Sequence, residues 1–154
     1  MTTWKPAQVV RVKVLGLVWR DDQMLVGNVE DSAGIIRGIR ALGGCVEFGE
    51  TRESALMREF REELGCETMI TGRWHALESI FEHEGDIGHE YVFAANLMLS
   101  DVSLYKQERI IYHEDDGAQL SAGWINPANL PDGVALYPTG LLDLIEAGTC
   151  RPNS

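Results

Sequence analysis

Cysteine is scarce in this chain and badly spaced for structural work. Cys45, Cys66 and Cys150 are an odd set with no CxxC pair, which argues against a disulfide framework and a structural zinc site and suits free thiols in a reducing cytoplasm. Positive charge is also in short supply. Thirteen Lys and Arg face 24 Asp and Glu, for a net charge of -11. So acidic a surface repels phosphate backbones, and nucleic acid is not expected as a partner. The apolar runs are too short to span a bilayer, and the opening MTTWKPAQ lacks the basic-then-apolar order of a signal peptide. The expectation is a cytoplasmic protein with no membrane partner. With no repeat, low-complexity tract or linker, residues 1–154 are expected to form a single domain, with a tail from about residue 148.

What is present reads mainly as strands. In Val9 to Trp19, Val10, Val12, Val14 and Val18 alternate with Arg11 and Lys13, the period of a strand. A turn at Arg20 to Asp22 leads back through Gln23 to Glu30 as a hairpin partner. Ile35 to Leu42 is a further strand, broken by Gly43-Gly44 and followed by a short VEF strand. Thr51 is a helix N-cap, Arg52 to Leu64 the helix and Gly65 its stop, with Leu56, Phe60 and Leu64 as the buried stripe. Met69 to Ile80, Glu90 to Leu99 and Ala118 to Ile125 read as strands, EHEGDIGH as a polar loop, Gln107 to Gly117 as irregular and Thr139 to Ala147 as a closing helix. The fold class is α+β, a mixed sheet between helices.

Glu59, Glu62 and Glu63 fall on one face of the central helix, where like charges oppose helix formation. Two partners can offset that repulsion. Arg52, Arg58 and Arg61 can neutralise it as a salt-bridged surface, or a hard divalent cation can take the carboxylate oxygens as ligands. Spacing alone leaves both open.

The wider pattern is Gly44, five residues, Glu50, seven residues, then Arg58-Glu59-Phe60-Arg61-Glu62-Glu63-Leu64-Gly65-Cys66. It resembles the signature of the Nudix hydrolases, GX5EX7REUXEEXGU with U apolar, at every fixed position. Phe60 and Cys66 are less usual at the apolar positions. The resemblance implies the Nudix fold, a mixed β-sheet sandwiched between α-helices. It also implies a metal-dependent pyrophosphohydrolase that cleaves a nucleoside diphosphate linked to another group X by water attack on phosphorus. Mg²⁺ or Mn²⁺ would be the cofactor. Carried over by position, Gly43 (through its carbonyl), Glu59, Glu62 and Glu63 would be metal ligands. Glu50 and Arg58 would be the supporting pair, with Glu62 or Glu63 a possible base.

Outside the signature, Glu82, Glu84, Glu90, Glu108 and Glu114 are further carboxylates that can act as base. Glu90, opening a strand, is favoured as facing the metal site, with Glu114 second. Glu47 and Glu53 read as solvated charge, and His83, His89 and His113 as surface histidines. Arg37 and Arg40 either contact phosphate or point outward. Trp74, Tyr91 and Phe93 either stack on a base or fill the core. A ligand sensor without catalysis is the alternative function, although its box carboxylates would be expected to be missing. mRNA decapping is disfavoured by the acidic balance. Many relatives pair, so a homodimer is possible.

Overall fold

The computed structural model describes residues 5–6, 8–114 and 116–151. Alternating apolar positions build strands β1 (Val10–Leu17), β2 (Trp19–Arg20), β3 (Gln23–Glu30) and β4 (Ile36–Cys45), ahead of helix α1 (Arg52–Leu64). Strands β5 (Thr68–Ile70), β6 (His75–His83), β7 (Asp86–Leu99), β8 (Arg109–His113), β9 (Gln119–Ile125) and β10 (Ala135–Tyr137) follow, and helix α2 (Leu141–Glu146) closes the described chain. The strands form one sheet in the order β5-β7-β1-β4-β3-β9-β8, with β6 beside β7, β10 beside β4 and β2 beside β3. β1 runs parallel to β7 and β10 parallel to β4, while the other pairs are antiparallel. The sheet is therefore mixed, as the sequence suggests.

Both faces of the sheet are covered. Side chains alternate along a strand, so β1 sends Val14 to one core and Leu15 and Leu17 to the other. The first core includes Leu25, Leu42 and Tyr112 with Leu56 and Phe60 of α1. The second gathers Met24, Val26, Ile39, Ala41 and Val92 with Leu141 and Ile145 of α2. One helix on each face is the sandwich expected from the sequence.

Helix α1 is bounded where the sequence places it. The Thr51 hydroxyl accepts from the Ser54 N–H at 3.1 Å, and Gly65 takes the left-handed conformation (φ +68°) while its N–H reaches the Arg61 carbonyl at 3.0 Å. Phe60 locks the helix to the sheet. Its ring lies over Gly16, where a Cβ would stand 2.6 Å from the ring edge.

Four strand expectations need correction. Gly43-Gly44 do not break β4, which continues to Cys45 paired with β1. The bare Gly43 lets the strands close up, since a Cβ there would collide with the Val14 carbonyl oxygen. The residues after Cys45 form no strand, only a bond from the Val46 N–H to the Val12 carbonyl. Residues 107–117 are not irregular throughout: buried Ile110 and Tyr112 alternate with exposed neighbours in β8. Finally, EHEGDIGH is a tight hairpin, its turn made by Glu84 (φ +51°) and Gly85 (φ +88°) between β6 and β7.

Truncating Phe60→Ala should cost about 3–5 kcal/mol, the range for a buried aromatic that leaves a cavity. Urea unfolding of the variant checks this, and a loss under about 1 kcal/mol would show that α1 is held elsewhere.

Candidate active site

Helix α1 and the end of β4 meet at one corner of the sheet. Of the three helix glutamates, Glu59 is only 4% exposed, Glu63 is half-buried and Glu62 exposed. Glu59 belongs to the packed side of the helix beside Ala55, Leu56 and Phe60. It fits there because Gly44 has no side chain. A Cβ on Gly44 would run into the Glu59 carboxylate.

A charge so buried needs partners, and Arg58 is one. Its guanidinium donates from Nη1 to Glu59 Oε1 at 3.1 Å and to Glu62 Oε2 at 3.3 Å. Its Nε and Nη2 grip the two oxygens of Glu50 at 2.6 and 2.9 Å, and Nη2 also reaches the Cys45 carbonyl at 3.0 Å. Glu50 accepts in addition from the Glu47 N–H at 2.9 Å. The Arg58 hydrogen bonds, then that backbone donor, pull the Glu50 carboxyl from its ordinary 4.5 to about 2. The same contact with Glu50 pushes Arg58 upward. One arginine thus ties the strand end, the loop and two helix carboxylates together.

The donor chemistry suits a hard divalent cation. Glu59, Glu62 and Glu63 offer carboxylate oxygens from one helix, with Glu59 against Gly44 of the adjoining strand, and such oxygens are ligands of the kind Mg²⁺ and Mn²⁺ prefer. The empty space over Gly44 cradles one of the carboxylates. Among the described residues, no three His, Cys, Asp or Glu side chains are drawn together at ligand distance. Nη1 of Arg58 lies instead between Glu59 and Glu62. The residues fit the cation chemically, and Glu62, the exposed member, has room to turn toward one.

Glu90 is not where the sequence suggests. Instead of facing the helix carboxylates, it shares its side of β7 with Val92 of the α2-side core, and it pairs with Lys13 at 3.2 Å. Strand parity is the cause: Phe93, one position out of phase, packs on the α1 side. The sequence shows Lys13 only as a polar position alternating with the valines of β1, and nothing local points to this pair. Glu114 does face the α1 side, at the end of β8, and accepts from Arg40 at 3.0 Å. Arg37 is taken by Asp31 at 2.8 Å, Glu108 by Arg20 at 3.1 Å and Glu84 by the Ser32 N–H at 2.8 Å. Glu47 lies 3.8 Å from Arg58, and Glu53 accepts from the Trp74 indole at 3.1 Å. Trp74 and Phe93 pack against the core beneath Arg52, whereas Tyr91 is exposed.

The sequence model of the NUDIX domain matches residues 9–139. The nucleoside triphosphatase NudI of Escherichia coli O139:H28 is 32% identical over 124 residues, covering 78% of this chain and 84% of the relative. NudI of Shigella flexneri matches over the same shares. Among solved structures, the E. coli ORF135 protein superposes with a TM-score of 0.57 at 24% identity, over 94% of this chain and 95% of that one. The MutT NUDIX hydrolase of Burkholderia pseudomallei reaches 0.52 at 22% identity, over 81% and 89%. On the family match and the identity to NudI, the chain belongs to the NUDIX domain family and is a Nudix-type hydrolase.

Proposed function

We propose that this hydrolase cleaves the phosphoanhydride of a nucleoside diphosphate bearing a further group X, with Mg²⁺ or Mn²⁺ as cofactor. The observation that carries the reading is the acidic corner itself: Glu59, Glu62 and Glu63 at the glycine end of β4, braced by Arg58. The name of NudI makes a nucleoside triphosphate, with phosphate as X, the first substrate to try.

In this reading Glu59, Glu62 and Glu63 with the Gly43 carbonyl hold the cation, which supplies Lewis acidity to the phosphate and lowers the pKa of a bound water. The carboxylates alone would repel a pyrophosphate, so their charge has to be matched before substrate binds. Water oxygen then attacks phosphorus, the bridging P–O bond breaks, and the water proton passes to a carboxylate. We assign that proton to Glu63, half-buried on the same helix face as Glu59. Glu114, which opens on the α1 side, is the second candidate for the base, whereas Glu90 is held by Lys13 on the other side of the sheet. Glu50 and Arg58 are positioning residues: they fix the loop against α1 and keep the helix carboxylates aligned. A cytoplasmic setting fits the three free cysteines.

A panel of nucleoside triphosphates, sugar nucleotides, ADP-ribose and dinucleoside polyphosphates, with and without Mg²⁺ or Mn²⁺, tests the reaction. Metal-dependent release of a phosphate product is expected, and Glu63→Gln should lower kcat by about 10²–10⁴ while the protein stays folded. Unchanged turnover in that variant contradicts the assignment. A loss in Glu114→Gln as large as that expected for Glu63→Gln would move the proton to Glu114. Binding of one panel member without turnover would make the protein a sensor.

The brace also sets a pH dependence. Because folding lowers the Glu50 pKa from 4.5 to about 2, its contribution to stability is complete above about pH 4.5. It fades as pH falls and is gone below about pH 2. Unfolding followed from pH 6 to 2 should therefore show a weaker acid dependence in Glu50→Gln than in wild type. Parallel curves would mean that the ion pair adds nothing to the fold.

A further inference from the structure

The sheet face covered by α1 runs on past the helix to an arginine with unusual neighbours. Strand alternation puts Arg40, Leu42 and Gly44 on one side of β4, so Arg40 opens onto the side where Glu59 lies against Gly44. Four residues of extended chain separate Arg40 from Gly44, about 13 Å. The cross-strand partners of Arg40 are Tyr137 on β10 and Gly27 on β3. Two glycines make room for two tyrosines near it. The Tyr137 ring covers Gly38, and the Tyr112 hydroxyl sits over Gly27, where a Cβ would stand 2.6 Å from it.

The place is electrically linked to the acidic corner. Burial pushes the Tyr112 phenol up to about 12, and the charges of Arg40, Glu63 and Glu114 all act on it. Arg40 itself is loosely held. Its side chain is 42% exposed and its Nη2 donates to Glu114 Oε1 at 3.0 Å. Arg58, by contrast, is spent on Glu50, Glu59, Glu62 and the Cys45 carbonyl. Arg40 is thus a cation that can exchange its partner, whereas Arg58 is fixed.

We infer that Arg40, exchanging Glu114 for substrate, binds the nucleotide through a group with two neighbouring acceptors. The inference rests on the proposed reaction, which puts the scissile phosphate at the helix carboxylates. A guanidinium is a fork of donors with no acceptor. It matches a pair of phosphate oxygens or the O6 and N7 edge of guanine, and it does not match the mixed donor and acceptor edge of adenine. Glu114, itself a pair of acceptor oxygens, stands in for that group in the resting enzyme. Substrate binding frees Glu114.

Equilibrium binding of the four nucleoside triphosphates with both bridging oxygens replaced by methylene, in the presence of Mg²⁺, separates the possibilities without relying on turnover. Arg40→Ala and Arg40→Lys should each weaken binding, the alanine variant by about tenfold or more, and Glu114→Gln should tighten it. Loss confined to the guanine nucleotide identifies the base edge as the ligand, and equal loss across the four identifies a phosphate. Both outcomes support the assignment. Wild-type affinity in Arg40→Ala, with all four nucleotides and circular dichroism unchanged, overturns it while leaving the proposed reaction standing. If wild type binds none of the four, the assignment falls, while a substrate with a different X leaves the proposed reaction standing.

Discussion

The acidic corner depends on one guanidinium. Arg58 reaches the end of β4 through the Cys45 carbonyl, the connecting loop through Glu50, and α1 through Glu59 and Glu62. Glu59 carries its charge in a nearly closed environment, where losing a cationic partner is far more costly than at the surface. Lysine cannot replace this fork, because it offers a point charge where the site needs donors in several fixed directions. The brace keeps the carboxylates of Glu59 and Glu62 close together.

The fold supplies the rest by subtraction of side chains. Gly44 makes room for Glu59, Gly43 lets β4 approach β1, and Gly16 gives Phe60 a surface to lie on. Each is a close approach that a Cβ would block, so backbone and carboxylates meet at contact distance. The sheet then keeps the two faces separate. Glu59 and Arg40 open on the α1 side, while Glu90 and Lys13 occupy the α2 side.

Local features were legible in the sequence, and pairings between distant residues were not. Thr51, Gly65 and the spacing of Leu56 and Phe60 locate α1 to the residue, since caps and helical periodicity are properties of neighbours in the chain. The Arg58–Glu50 pair followed from the resemblance to the family. The strand β8 was missed because Glu108, Arg109, His113 and Glu114 surround its two buried residues, Ile110 and Tyr112, and so mask a short alternation. Glycine was read as a breaker at Gly43-Gly44, where contact with β1 in fact selects it. The face of Glu90 depends on the register of β7 against β1, which only the folded sheet fixes. Arg40 and Glu114 are 74 positions apart and meet only because β4, β3, β9 and β8 lie side by side.

The central claim is that the helix glutamates are a cation site and not merely an ion-paired surface. Titrating the protein with Mn²⁺ and following the free ion by electron paramagnetic resonance tests it without any substrate. Bound Mn²⁺ in wild type, weakened by about tenfold or more in Glu59→Gln and in Glu63→Gln with the fold intact, is the predicted result. Equal Mn²⁺ binding in wild type and both variants, or none in wild type, would contradict the account.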